Sequence, residues 1–306
     1  MSIRRVRVLC VHGVGRHLPG SGWDREWHGT IERCVCAWNP EAACEFESFE
    51  YDALFEKSRP NPLTYASALA KLMGSAAWHG VGDALKRRIG AHGELSDQLR
   101  WTAGMVAQWA ADGKLRRALR AALGDVMNSF FGESGEKIVV AHSLGSLVTY
   151  DTFRRDQSLI AGARYVTFGS QIGHPAVRST LGGFIAGLPS AASWHHLYNP
   201  HDDVMTTPLD VREKNFRQVD ATFSIKGVAD HDAVMYLGHA GACDTVWREA
   251  ALGNLGVRSL AGPDPDGRPG AKYPWRGGEA HPAEMRPSPR AGRAEDQDPR
   301  GRATVD

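Results

Sequence analysis

The sequence predicts an α/β protein built on a mostly parallel sheet with helices on both faces. Short β-like runs alternate with helical stretches along the first 250 residues, the pattern of strands joined by crossover helices. Runs such as Val8-Leu9 and Val139-Val140 lack polar alternation, as expected of strands covered on both sides. With 306 residues, 42 % apolar and 23 % charged, the chain has the length and composition for one large core.

The elements follow in order. The strand-like runs are Val6–Val11, Cys44–Phe49, Lys137–Ala141, Arg164–Phe168, Ser193–Tyr198 and Gln218–Ile225. Between Tyr51 and Lys114 no strand pattern occurs. Leu95, Leu99, Thr102, Val106 and Trp109 recur there at helical spacing, so residues 62–113 read as a helical insertion between two sheet strands. Lys114–Phe131, with Leu115, Leu119, Leu123, Val126 and Phe130 on one stripe, reads as the helix leading into the central strand. A domain is thus expected over residues 1–255. Residues 262–306 contain eight of the sixteen prolines and almost no branched aliphatics. Such a segment cannot bury enough apolar surface to offset its ordering entropy, and a disordered Pro/Gly/Arg-rich tail is expected.

Charge and targeting signals narrow the partners. Thirty-six Lys plus Arg against thirty-five Asp plus Glu leave a net charge of +1, which gives no field suited to nucleic acid. Cys10, Cys34, Cys36, Cys44 and Cys243 are odd in number and irregularly spaced, so they outline no disulfide framework and suit a reducing, cytoplasmic compartment. The N-terminus passes from two arginines into a strand without a secretory h-region. The most apolar segment, Leu63–Val81, is interrupted by Lys71 and His79 and reads as a packed helix rather than a transmembrane span.

The chemistry centres on Val139-Val140-Ala141-His142-Ser143-Leu144-Gly145. A serine at a bare strand-to-helix junction is forced into a strained turn that pushes its hydroxyl over the carboxyl edge of the sheet. The helix N-terminus behind it favours developing negative charge. Ala141 occupies the position of the first glycine in the G-x-S-x-G pattern. Upstream, Val11-His12-Gly13-Val14-Gly15 ends the first strand. The N–H groups of Val14 and Leu144 are the candidate oxyanion donors, because two donors must converge on one developing charge. Downstream, Asp202 and Asp203 follow the fifth strand and His231 the last. A serine, an acid and a histidine in that chain order can form a triad in which the imidazole takes the hydroxyl proton and the carboxylate fixes its tautomer. Asp203 is the alternative acid and His239 the alternative base. His195, His196 and His201 with the two aspartates form a lesser candidate for a metal site.

These stretches, with Tyr165-Val166-Thr167-Phe168-Gly169-Ser170 and Asn199-Pro200-His201-Asp202-Asp203-Val204, resemble the α/β-hydrolase superfamily. Within it the chain is most similar to bacterial serine esterases and lipase-like proteins that begin at the oxyanion strand and lack the first two strands. Gln171 stands where those relatives tend to have proline after Phe-Gly-Ser. The resemblance implies a nucleophile at Ser143, an acid at Asp202, a base at His231 and a helical lid in the insertion. Trp78, Trp101, Met105 and Trp109 are the candidate acyl-pocket or cap residues. It implies cleavage of a small-molecule or lipid ester with no metal or organic cofactor, with contact at a membrane surface open and any partner protein unknown. Acyltransferase, peptidase and non-catalytic binding module are the alternatives on the same fold.

Overall fold

A computed structural model describes residues 3–14, 22–78, 103–202, 204, 206–225 and 230–259, the side chains of 73–78 and 254–259 excepted. Its centre is one six-stranded sheet. The strands are β1 (Arg5–Val11), β2 (Ala43–Phe49), β3 (Glu136–His142), β4 (Arg164–Phe168), β5 (Ser193–Tyr198) and β6 (Phe216–Asp220), in the spatial order β2-β1-β3-β4-β5-β6. All five pairings are parallel, with Val8 opposite Ile138 and Val140 opposite Val166. The chain steps outward from β1 to β2, returns to β3 on the other side of β1, and then proceeds in one direction. The order therefore reverses between β1 and β3, where open parallel sheets form a crevice at their carboxyl ends.

Two-sided burial explains the unbroken apolar runs. Leu9, Val11, Val139, Ala141 and Tyr165 join one core cluster. Their neighbours Val8, Cys10, Ile138, Val140, Val166 and Phe168 are equally buried but point the other way, because successive side chains in a strand alternate faces. The first cluster includes Leu115, Leu119, Leu123 and Met127 of the helix Gly113–Phe130, and Leu147, Val148, Tyr150 and Phe153 of the helix Leu144–Phe153. On the opposite face Phe168 meets Trp27 of α1 (Arg25–Trp38), and α1 buries Trp27, Ile31 and Val35 at four-residue spacing.

The remaining helices are α2 (Asp52–Lys57), α3 (Pro62–Trp78), α4 (103–111), α5 (Gly113–Phe130), α6 (Leu144–Phe153), α7 (Pro175–Thr180), α8 (Ala233–Gly238), the single turn α9 (Ala240–Ala242), a π-helical turn Cys243–Trp247 and α10 (Arg248–Ser259). Asp112 caps α5 by accepting from the Lys114 and Leu115 N–H groups. The buried stripe of α5 runs through Leu115, Leu119, Leu123 and Met127, whereas Val126 and Phe130 are only half-buried at its edge. Within the insertion, 62–78 and 103–111 are helical, and Leu95, Leu99 and Thr102 of the predicted spacing lie outside the described residues. The 79–102 portion lies outside the described residues, as do the Trp101 and Trp78 side chains and the 262–306 tail. Met105 and Trp109 pack into the main core and Trp109 is fully buried. Among the described residues no helix is long and apolar enough to cross a membrane.

One strand departs from its predicted limits. β6 spans Phe216–Asp220, not Gln218–Ile225. It starts earlier because Phe216 and Arg217 pair with Trp194 and His195. It stops at Asp220 because that carboxylate accepts from the Thr222 N–H and folds the chain away from β5 in an Asx turn.

Candidate active site

Every candidate side chain follows the carboxyl end of a strand. Gly13 and Val14 follow β1, Ser143 follows β3, Gln171 follows β4, and Asp202 follows β5. Asp230 and His231 follow β6, beyond a loop.

Ser143 takes φ +50° and ψ −123°, the only positive φ at a non-glycine among the described residues. L-residues avoid that region, so the conformation must be held by its surroundings. The Ser143 N–H donates to the Phe168 carbonyl (3.0 Å), and its own carbonyl accepts from the Ser146 N–H (3.0 Å) and the Ser146 hydroxyl (2.5 Å). Two glycines admit the turn. A Cβ on Gly13 would lie 2.7 Å from the Ser143 Cβ, and one on Gly145 would run into the His12 carbonyl. The loop after β1 and the turn after β3 are thus in van der Waals contact at the point where the strand order reverses. Among the described residues neither the Val14 nor the Leu144 N–H donates a hydrogen bond.

Asp202 and His231 are joined directly, Oδ2 to Nδ1 at 2.7 Å. The same carboxylate oxygen accepts from the Tyr236 hydroxyl at 2.7 Å, and Oδ1 accepts from the Val204 N–H at 3.0 Å. Three donors satisfy a side chain fully removed from solvent, as a buried carboxylate requires. Burial, and then the Asp202 charge, push the Tyr236 pKa far up, so the phenol stays protonated and donates. A carboxylate only accepts, so His231 Nδ1 carries the proton of this hydrogen bond.

Asn199 holds the two loops together. Its Nδ2 donates to the Asp230 carbonyl (3.3 Å), while its Oδ1 accepts from His201 N–H (3.1 Å) in the acid loop. The His231 ring lies 4.5 Å, centroid to centroid, from the ring of His142, the residue before Ser143. It also overhangs Gly169, where a Cβ would sit 2.9 Å from the His231 Cε1 and 2.8 Å from the His142 Nε2.

Gln171 closes the circuit. Its Nε2 donates to the Val204 carbonyl (3.0 Å) and the Gly169 carbonyl (3.1 Å), and lies 3.3 Å from the Ser143 hydroxyl oxygen. Among the described residues its buried Oε1 has no hydrogen-bond partner. Ser143 and His231 make no direct hydrogen bond to each other, and among the described residues Gln171 is the hydrogen-bond partner of the hydroxyl. Ser143 itself is 1 % exposed.

The other sequence candidates separate from this group. Asp203 lies outside the described residues. His239 caps the following turn, its Nδ1 accepting from the Gly241 N–H at 3.0 Å, and makes no bond to Asp202. His195 and His196 point to opposite faces of β5: His195 lies 3.7 Å from Glu249, and His196 bonds Thr167 and Thr207. His12 donates from Nδ1 to the Gly13 carbonyl and stacks on Tyr51, whose hydroxyl donates to the His12 carbonyl. It shapes the loop after β1. Sequence reasoning missed the parts played by Tyr236, Asn199 and Gln171. Only Gln171 carried a signal, as the departure from proline after Phe-Gly-Ser.

No family model matches the chain, and no curated protein matches it. The structure defines the class: a parallel α/β fold with a strained serine at the sheet's reversal point and a buried aspartate–histidine pair on the same edge.

Proposed function

We propose that the protein is a serine hydrolase of the α/β-hydrolase type that cleaves a carboxylic ester, acting in a reducing compartment such as the cytoplasm. The carrying observation is the pairing of a left-handed Ser143 backbone with an Asp202–His231 hydrogen bond on the same sheet edge. In this reading Ser143 Oγ attacks the ester carbonyl while His231 Nε2 takes its proton. The Val14 and Leu144 N–H groups bind the oxyanion. His231 then returns the proton to the leaving alcohol, and a water attacks the acyl-enzyme by the same route. Asp202 holds the Nε2-basic tautomer and stabilises the imidazolium. Nucleophile–base contacts commonly tighten only around bound substrate, so the Ser143–His231 bond is expected to form in the Michaelis complex. The insertion at 62–113 is the proposed lid.

A second reading, a binding module that keeps the fold without turnover, draws on one observation: the Ser143 hydroxyl is buried and engaged by Gln171 rather than by His231. A fluorophosphonate probe separates the two. The hydrolase reading expects stoichiometric labelling at Ser143, lost in Ser143→Ala. Folded protein that stays unlabelled would sink it. A series of p-nitrophenyl esters of increasing chain length then reports the acyl preference.

A further inference from the structure

Five cysteines are free thiols in this structure, and two of them meet. Cys34 on α1 and Cys243 in the π-helical turn are 209 residues apart in the chain, yet their sulfurs lie 2.9 Å apart. That is within about 1 Å of the ~2.05 Å of a disulfide. The backbones around them are already docked: Trp38 Nε1 donates to the Cys243 carbonyl at 2.8 Å, and the Arg248 guanidinium lies over the Trp38 ring.

We infer that Cys34 and Cys243 form a reversible intramolecular disulfide, a redox modification site on the face of α1 that packs against the last helices. The roles of the two sulfurs follow from their surroundings. Cys34 is half-buried, so a small reagent can reach it, whereas Cys243 is buried. The Cys243 thiol donates to the Cys34 sulfur and holds the Cys34 pKa below its usual value, while burial raises those of Cys10, Cys36 and Cys44. Cys34 is therefore the attacking thiolate.

With a low-molecular-weight disulfide of the oxidised-glutathione class, Cys34 attacks one sulfur and the first small thiolate leaves and takes up a proton. Cys243 then loses its proton and attacks the Cys34 sulfur, expelling the second small thiol. One small disulfide is reduced to two thiols, and two protein thiols become one disulfide. The site adjoins α8, with the Cys243 sulfur 3.7 Å from the Gly238 carbonyl, two residues beyond Tyr236. The inference does not depend on the hydrolase reading.

Peptide mapping of the full chain tests it, after incubation with oxidised glutathione and alkylation of the remaining thiols. The expected result is a fall from five titratable thiols to three, a Cys34–Cys243 cross-linked peptide, and reversal by dithiothreitol. Cys36→Ser retains the link and Cys34→Ser loses it. Because the cross-link closes so long a loop, the thermal midpoint without reductant should rise by roughly 10 °C. Five thiols surviving in folded protein, a link between other cysteines, or a glutathione adduct on Cys34 that Cys243 never displaces would each overturn the inference. The wild-type map decides even if a variant folds poorly.

Discussion

Gln171 places its amide nitrogen 3.3 Å from the Ser143 hydroxyl oxygen and donates at 3.0 Å to the carbonyl of Val204, two residues beyond Asp202. It thus spans the nucleophile loop and the acid loop, and its N–H can donate to oxygen as negative charge develops there. In the hydrolase reading, Gln171→Ala removes both ties. A hydrogen bond to a charged group is worth about 1.5–3 kcal/mol, so kcat/KM should fall by roughly 10- to 100-fold with the fold retained. Gln171→Glu places a carboxylate against the developing alkoxide and should lose more. Steady-state kinetics on a short-chain ester check both, and an unchanged kcat/KM in Gln171→Glu would remove Gln171 from the site.

The buried Asp202 carboxylate divides into two tests, since His231 and Tyr236 share its Oδ2. Asp202→Asn presents an amide where Nδ1 needs an acceptor. It should lower kcat on the order of 10⁴-fold, the size known for the orienting carboxylate of a Ser-His-Asp set. Tyr236→Phe leaves the charge with one donor fewer and should cost about 1–3 kcal/mol of folding stability in urea titrations. Its effect on kcat should be much smaller, which distinguishes a residue that supports the acid from one that orients the base.

The sheet was legible in the sequence because strands buried on both faces lack the polar alternation of half-exposed strands, most plainly in β1 and β3. Five of the six runs were placed to within a residue or two at either end. The strained turn at Ser143 was legible because a bare strand-to-helix junction demands small neighbours, and the Asp202–His231 contact because both residues lie beyond the ends of late strands on one sheet edge. Tyr236 and Asn199 were not, since they act through hydrogen bonds across loops that no local pattern encodes, and Gln171 showed only as a departure from proline. The limits of β6 failed for a related reason: Asp220 ends the strand with a side-chain turn while the residues after it remain β-like in composition. Trp109 read as a pocket candidate because an aromatic at helical spacing looks the same on a cavity wall and in a core.

Gly13 tests the packing of the nucleophile turn. Its missing Cβ lets the loop after β1 lie against Ser143, and a methyl there would sit 2.7 Å from the Ser143 Cβ and 2.9 Å from the His142 Nδ1. One of the two loops must move in Gly13→Ala. Overpacking of this kind costs about 1–3 kcal/mol, and the Val14 N–H shifts with its loop. Both the unfolding midpoint and the rate of fluorophosphonate labelling should drop. A variant that loses stability but labels at the wild-type rate would show that the Val14 donor is not part of the site.

Acid sensitivity should arise beside the site, in β5. His196 is fully buried in a satisfied neutral chain: Trp194 Nε1 donates to Thr167 Oγ1, the Thr167 hydroxyl to His196 Nδ1, and His196 Nε2 to the Thr207 carbonyl. Burial lowers its pKa from 6.5 to about 4, outweighing the hydrogen bonds that act in the other direction. His195 is lowered to about 3, chiefly by burial and then by Arg164. A histidine whose folded pKa lies below its unfolded value binds more protons when unfolded. The stability it contributes is complete above pH 6.5 and is lost as pH falls from there to about 4. For His196 that loss is about 3 kcal/mol, since each tenfold change in proton affinity is worth on the order of 1.4 kcal/mol. Urea midpoints between pH 7.5 and 4.5 should therefore fall, and His196→Asn, which cannot take the proton, should flatten the slope by about one proton. An undiminished slope in that variant would place the acid sensitivity elsewhere, with His195 and its Arg164–Glu249 neighbours the next group to substitute.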